Sequence, residues 1–212
     1  MGGSDSQTLS RLSHQLVCVD PETGWLYVPS RTSPTVIQLA KPDPKASDFS
    51  YLRAGGIGLR GPQGLPLFRP PYVRLTAIDL NAGSRVWTVP LGDGPRQRLI
   101  EMGLPDMGPL GGGAYTGPLV TKTLLFLGLR GNEAPDLVLG TTTAARTETR
   151  TETPITPVLR AFDKITGETV HSVELNVPPT GTPMTYMLNG KQYIVLAYGT
   201  ANVCGLIALA VN

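Results

Sequence analysis

Few side chains in this sequence stand where chemistry would require them. Its two histidines, His14 and His171, have no Ser, Cys or carboxylate at a spacing that would make a nucleophile and base pair, and His14 lies in a polar stretch that reads as surface. Cys18 and Cys204 are far apart and belong to no Cys-x-x-Cys or Cys/His cluster, so two buried thiols are expected rather than a disulfide or a metal site. Gly111-Gly112-Gly113 could cradle a phosphate only with a helix behind it, and no helical pattern follows. Glu148 and Glu152 resemble an acid/base pair, but Arg146 and Arg150 are interleaved with them, which makes the run solvated charge.

Any functional residues must be mounted on short strands. The chain has 212 residues with Gly 25 and Pro 20 as frequent punctuation, and no long segment has a helical period. An apolar share of 41% is ordinary for a globular protein and allows one sizeable core. Lys plus Arg number 18 against 16 for Asp plus Glu, with no basic run carrying aromatics, so nucleic acid is set aside as a partner. Residues 1–15 are polar and lack the apolar stretch of a secretory signal; the chain as written is either cytosolic or missing its true start. Residues 193–211 carry no charge and approach the length of a membrane span, about 20 apolar residues. Gly199, Thr200, Asn202 and Gly205 interrupt them, so two strands and a turn are expected.

The chain also repeats itself. Leu75-Thr76-Ala77-Ile78-Asp79-Leu80-Asn81-Ala82-Gly83 returns as Leu159-Arg160-Ala161-Phe162-Asp163-Lys164-Ile165-Thr166-Gly167, with a fainter echo in Leu206-Ile207-Ala208-Leu209-Ala210. Each copy follows a turn and an apolar strand, as in Thr23-Gly24-Trp25-Leu26-Tyr27-Val28, Lys122-Thr123-Leu124-Leu125-Phe126-Leu127 and Gly190-Lys191-Gln192-Tyr193-Ile194-Val195. The unit is a small antiparallel sheet, and the last two copies are about 47 residues apart, the spacing of a four-stranded propeller blade. Two stretches are expected to be loop insertions: residues 31–71, dense in Gly and Pro, and residues 131–157, which contain the Thr-, Glu- and Arg-rich run 141–153. The fold class expected for residues 1–212 is therefore all-β, a partial β-propeller of about three blades with long Gly/Pro-rich loops. Three partial units do not close a ring, and the final strand is left as an exposed edge.

Certain motifs carry a family resemblance. Ala77-x-Asp79-x-x-x-Gly83-x-x-x-Trp87 is similar to the tryptophan-docking motif that locks adjacent blades in quinoprotein dehydrogenases. Asp can bond the turn amides, Gly can take a backbone conformation closed to other residues, and Trp can pack flat on the next blade. The second copy, Ala161-x-Asp163-x-x-x-Gly167-x-x-x-His171, keeps all but the Trp, and His171 reads as a surface replacement at a docking position. Gly181-Thr182-Pro183-Met184-Thr185-Tyr186-Met187-Leu188-Asn189-Gly190-Lys191-Gln192-Tyr193-Ile194-Val195 resembles the closing blade of pyrroloquinoline-quinone (PQQ) dependent glucose dehydrogenase-like enzymes. Val19-Asp20-Pro21-Glu22-Thr23-Gly24 and Pro118-Leu119-Val120-Thr121-Lys122-Thr123 extend the likeness over most of the chain.

The resemblance implies the C-terminal portion of an eight-bladed quinoprotein propeller whose parent oxidises a sugar or alcohol. It implies PQQ and calcium as cofactors, a quinone or cytochrome as electron acceptor, the remaining blades as partners, and a periplasmic or secreted location. The catalytic base and most calcium ligands would lie in blades preceding Met1, so no catalytic or metal residue is assigned here. Cofactor contacts implied by position are Thr182, Pro183 and Met184, with Thr200 and Ala201 in the following turn and Asp5 near the start. Glucose-type members carry a Gly-Gly-His-Gly turn where this chain reads Tyr198-Gly199-Thr200-Ala201, which puts glucose in doubt as the substrate. A non-catalytic propeller scaffold, or an inactive gene fragment, is the alternative. Alone, the chain is expected to be inactive and poorly soluble or oligomeric.

Overall fold

A computed structural model describes residues 8–10, 16–32, 34–59, 61–113, 115–131, 156–199 and 204–211. In chain order its strands are β1 (Thr8–Ser10), β2 (Cys18–Asp20), β3 (Trp25–Arg31), β4 (Pro34–Ala40), β5 (Leu52–Gly58), β6 (Val73–Asp79) and β7 (Ser84–Pro90). They continue as β8 (Leu119–Val120), β9 (Leu124–Leu129), β10 (Val158–Asp163), β11 (Thr169–Glu174), β12 (Met184–Leu188), β13 (Lys191–Gly199) and β14 (Cys204–Val211). All pairings are antiparallel, and three sheets follow the repeat: β2-β3-β6-β7, β8-β9-β10-β11 and β12-β13-β14.

Each repeat folds the same way for the same local reasons. Asp79 Oδ1 accepts the amides of Asn81 and Ala82 at 2.8 and 3.1 Å, and Asp163 Oδ1 accepts those of Ile165 and Thr166 at 2.8 and 2.9 Å. The carboxylate thus closes the turn, which ends on a glycine at φ +63° (Gly83) or +77° (Gly167). Both copies also carry a register shift one residue after the conserved alanine, Ala77/Ile78 and Ala161/Phe162.

The cores lie between sheets. Tyr27, Leu75 and Ala77 of the first sheet meet Leu125, Leu127 and Phe162 of the second. On the other side of the second sheet, Leu159 joins Ile194 and Leu196 of the third, with Phe126, Ile207 and Leu209 against them. The second sheet is therefore covered on both faces, which is why Leu124-Leu125-Phe126-Leu127 is continuously apolar instead of alternating. Each fully buried Leu contributes about 1.5–3 kcal/mol of transfer free energy, so these two seams hold the blades in a stack.

The docking motif works as its residue types require. Trp87 stands opposite Ala77 across β6 and β7, and a β-carbon added to Gly167 of the next sheet would lie 2.7 Å from the Trp87 ring. Only glycine lets the indole approach that turn so closely. His171 occupies the corresponding place opposite Ala161 and is exposed.

Two expectations need correction. Residues 31–71 are not an unstructured loop: β4 and β5 pair within them, and with β1 they form a fourth sheet, β1-β4-β5. The glycines read as breakers, but Gly55 and Gly56 sit in β5 opposite Gln38 and Ile37, so β4 supplies the β-branched side chains for both strands. The cysteines are unpaired as expected, yet not both buried: Cys18 is half-buried and Cys204 exposed. Residues 193–211 form β13 and β14, and among the described residues no helix is long and apolar enough to cross a membrane. The one α-helix described, α1 (Arg96–Glu101), is a six-residue turn that buries Leu99, too short to announce itself as a period. The charged run 141–153 lies outside the described residues, as do His14, Glu148 and Glu152.

Candidate functional site

The segments that enter the innermost strands come together at one end of the stack. Pro118 precedes β8 and Pro183 precedes β12; both are buried, and each fixes the backbone just before its strand. Thr116 locks the first of these entries. Its amide donates to Gly128 O at 2.8 Å, its hydroxyl accepts the Gly128 amide at 2.9 Å, and the same hydroxyl donates to Gly117 O at 3.1 Å. A β-carbon on Gly117 would collide with the Thr182 hydroxyl and lie 2.8 Å from Leu16 Cβ. Glycine is thus required for the approaches to β2, β8 and β12 to converge.

Thr182, Pro183 and Met184 therefore share a seam that links all three blades. Thr182 is exposed, Pro183 is buried, and Met184 is 54% exposed, so the seam offers one hydroxyl and one thioether to a ligand. The preceding segment is tied down: the Thr180 amide donates to Ala197 O at 2.8 Å, and Pro179 bridges to Tyr198. Thr200, Ala201 and Asp5 lie outside the described residues, so nothing is shown of their relation to the seam. Gly117 and Thr116 were missed in the sequence. Their signal was a shared feature of two repeats, a proline immediately before the inner strand.

A second unforeseen feature lies at the far end of β2. Lys164 Nζ donates to Asp20 Oδ2 at 2.7 Å, with side chains only 5% and 4% exposed, and this ion pair crosses from the second sheet to the first. Thr23 Oγ1 and the Glu22 amide also donate to the Asp20 carboxylate, at 2.9 and 3.1 Å, and the Tyr27 hydroxyl donates to Lys164 O at 3.1 Å. Burial works to raise the Asp20 carboxyl, but the bonds from Lys164, Thr23 and Glu22 outweigh it and hold the group below the usual range. The bond to Asp20 holds Lys164 above its own range against the opposing effect of burial. Burial, then the Asp20 charge, pushes the Cys18 thiol up to about 12, which makes it a poor nucleophile. The same two causes push Tyr27 up to about 12. The repeat held a clue: Lys164 stands where the first copy has Leu80, which is 52% exposed.

Gly92, Gly94 and Gly112 line a separate cleft of about 200 Å³, with Asp93 and Arg160 at its walls. The glycines there serve backbone packing: the Gly111 amide donates to Gly92 O and that of Gly112 to Leu91 O, so this run is no phosphate loop. Among the described residues, no group of three or more His, Cys, Asp or Glu could hold a metal ion.

Known proteins place this arrangement. Residues 9–194 match the family described as PQQ: glucose/ethanol/alcohol dehydrogenase, beta-propeller domain. The quinate/shikimate dehydrogenase (quinone) of Acinetobacter baylyi is 33% identical over 145 residues, covering 65% of this chain and 14% of that protein. The glycerol dehydrogenase large subunit of Gluconobacter thailandicus is 33% identical over 145 residues, covering 64% of this chain and 15% of that protein. The chain thus spans about a seventh of the length of these relatives. A europium-containing methanol dehydrogenase superposes with a TM-score of 0.52 at 20% identity, over 87% of this chain and 24% of that one, a likeness of fold. The chain belongs to the PQQ-dependent glucose/ethanol/alcohol dehydrogenase β-propeller family.

Proposed function

We propose that this chain is the blade-forming C-terminal portion of a periplasmic or secreted quinoprotein dehydrogenase that oxidises a sugar or alcohol and passes the electrons to a quinone or cytochrome. The observation that carries the reading is the family match over residues 9–194, in a fold whose blade entries converge on Thr182. The relatives act, by their names, on quinate or shikimate and on glycerol, so a polyol or a hydroxylated ring acid is the substrate class to try first.

The seam fits one edge of a PQQ site. The Thr182 hydroxyl can donate to or accept from a carboxylate or quinone oxygen, Met184 can lie against a flat ring, and Gly117 keeps the hydroxyl accessible by having no β-carbon. When bound, PQQ supplies the two-electron acceptor for the alcohol carbon. Thr182 and Met184 orient one flank of the cofactor, while the buried Pro183 fixes the backbone between them. Calcium does not fit the described residues, which offer no cluster of ligands, so no step is assigned to a metal here. Without a base among the assigned residues, the 212-residue chain alone is inactive. A scaffold role is the second reading, favoured by His171 at the docking position that Trp87 fills in the preceding blade.

The test uses the longest in-frame polypeptide that contains this chain, with Thr182→Val compared with the unaltered protein in PQQ titrations. The expected result is a loss of roughly tenfold in PQQ affinity, equivalent to about one hydrogen bond to a charged group, at unchanged thermal stability. Unchanged affinity would remove Thr182 from the site. Failure of the unaltered protein to bind PQQ at all would favour the scaffold.

A further inference from the structure

We propose that β14 is the pairing edge of a two-fold dimer, in which the β14 strands of two copies of this chain lie side by side and antiparallel. The first two sheets each have a fourth strand, β7 beside β6 and β11 beside β10, whereas the third ends on β14. The open place beside β14 is thus shaped for an antiparallel strand, and both strands that fill it elsewhere are six or seven residues long. β14 itself is eight residues long and extended, so a second copy supplies a strand that fits without any change of fold.

The chemistry of the edge selects the same occupant. Cys204-Gly205-Leu206-Ile207-Ala208-Leu209-Ala210-Val211 has no charge, no proline and no lysine, the devices that normally block edge pairing. A charged peptide would find no counter-charge on it, whereas a second β14 is equally neutral along its whole length. Ile207 and Leu209 already pack against the core between the second and third sheets, and Leu206, at 72% exposed, points to the other face. Antiparallel self-pairing is isologous: it lets two unsatisfied backbone edges satisfy each other and closes after two copies. β12, at the other edge of the same sheet, is also uncharged but only five residues long, and a β14-to-β12 contact would be head-to-tail and build an open array.

The experiment is light scattering on the 212-residue chain over a range of concentrations, with hydrogen exchange read on β14. The expected result is a species of twice 22.5 kDa, with alternate β14 amides gaining protection as the dimer forms. Ala208→Lys places an ammonium on the edge of each copy and should weaken the dimer by at least about tenfold. Tyr186→Lys, on β12, should leave the dimer intact. A monomer at every concentration, a dimer untouched by Ala208→Lys, equal loss in Tyr186→Lys, or growth into larger arrays would each overturn the proposal. Should Ala208→Lys prove unfolded by circular dichroism, exchange on the unaltered chain decides: β14 protection that does not rise with concentration rejects the pairing.

Discussion

Replacing Lys164 by Met keeps a long apolar stem but removes the ammonium that crosses from the second sheet to Asp20. The Asp20 carboxylate then stays 4% exposed with only the Thr23 hydroxyl and the Glu22 amide as donors. Breaking one partner of a buried pair costs about 3–5 kcal/mol. Glu22, 3.5 Å from Lys164 but 63% exposed, contributes at most about 1 kcal/mol. Urea unfolding can be followed through Trp25, which lies opposite Asp20 across β2 and β3. Asp20→Asn should cost a similar amount, and the double variant should fall short of the sum of the two singles by about 2 kcal/mol. The pH dependence carries a definite sign. Asp20 is held below its unfolded value and Lys164 above its own, so the pair contributes fully between about pH 4 and pH 10. That contribution is lost as pH falls through the folded value of Asp20 or rises through that of Lys164. In Lys164→Met the raising effect of burial on Asp20 loses its main opponent, so the deficit should be largest near pH 7 and shrink toward pH 4 as the carboxyl takes up a proton. A deficit under about 1 kcal/mol at pH 7, against the range expected for a buried pair, or one constant from pH 7 to pH 4, would refute the reasoning.

Gly167→Ala should destabilise by about 2 kcal/mol or more, since φ is +77° and the new β-carbon would lie 2.7 Å from the Trp87 ring. Gly83→Ala, at φ +63° with nothing within 4 Å, should cost only the backbone share of about 1 kcal/mol; equal losses in thermal or urea unfolding would show that the indole does not dock on Gly167. A thiol reagent at pH 8 should label one cysteine quickly, the exposed Cys204, and reach Cys18 only on unfolding, because burial and Asp20 keep it a thiol. Rapid labelling of both would place Cys18 wrongly.

Blade structure was legible because it is local and repeated. Asp79, Gly83 and Trp87 announce a turn, a left-handed residue and a docking ring by type and spacing alone, and Asp163 with Gly167 says it again. What escaped depends on neighbours distant in sequence. Residues 34–58 looked like a glycine-rich loop because pairing of β4 with β5, not the composition of either, makes them strands. Lys164 looked like an ordinary turn residue because its partner lies 144 positions earlier, in another blade. Gly117 looked unremarkable because its role appears only where Leu16 and Thr182 crowd against it. Thr182, Pro183 and Met184 were singled out by resemblance, and no periodicity or spacing would have marked them.

The most direct measurement of the central claim is dye reduction with PQQ and calcium, run side by side on the 212-residue chain and on the longest in-frame polypeptide that contains it, over a panel of alcohols, polyols, sugars and hydroxylated ring acids. The account predicts turnover of at least one substrate class by the longer polypeptide and none by the chain alone. Turnover by the isolated chain, or a longer polypeptide that binds PQQ yet oxidises nothing in the panel, would contradict it.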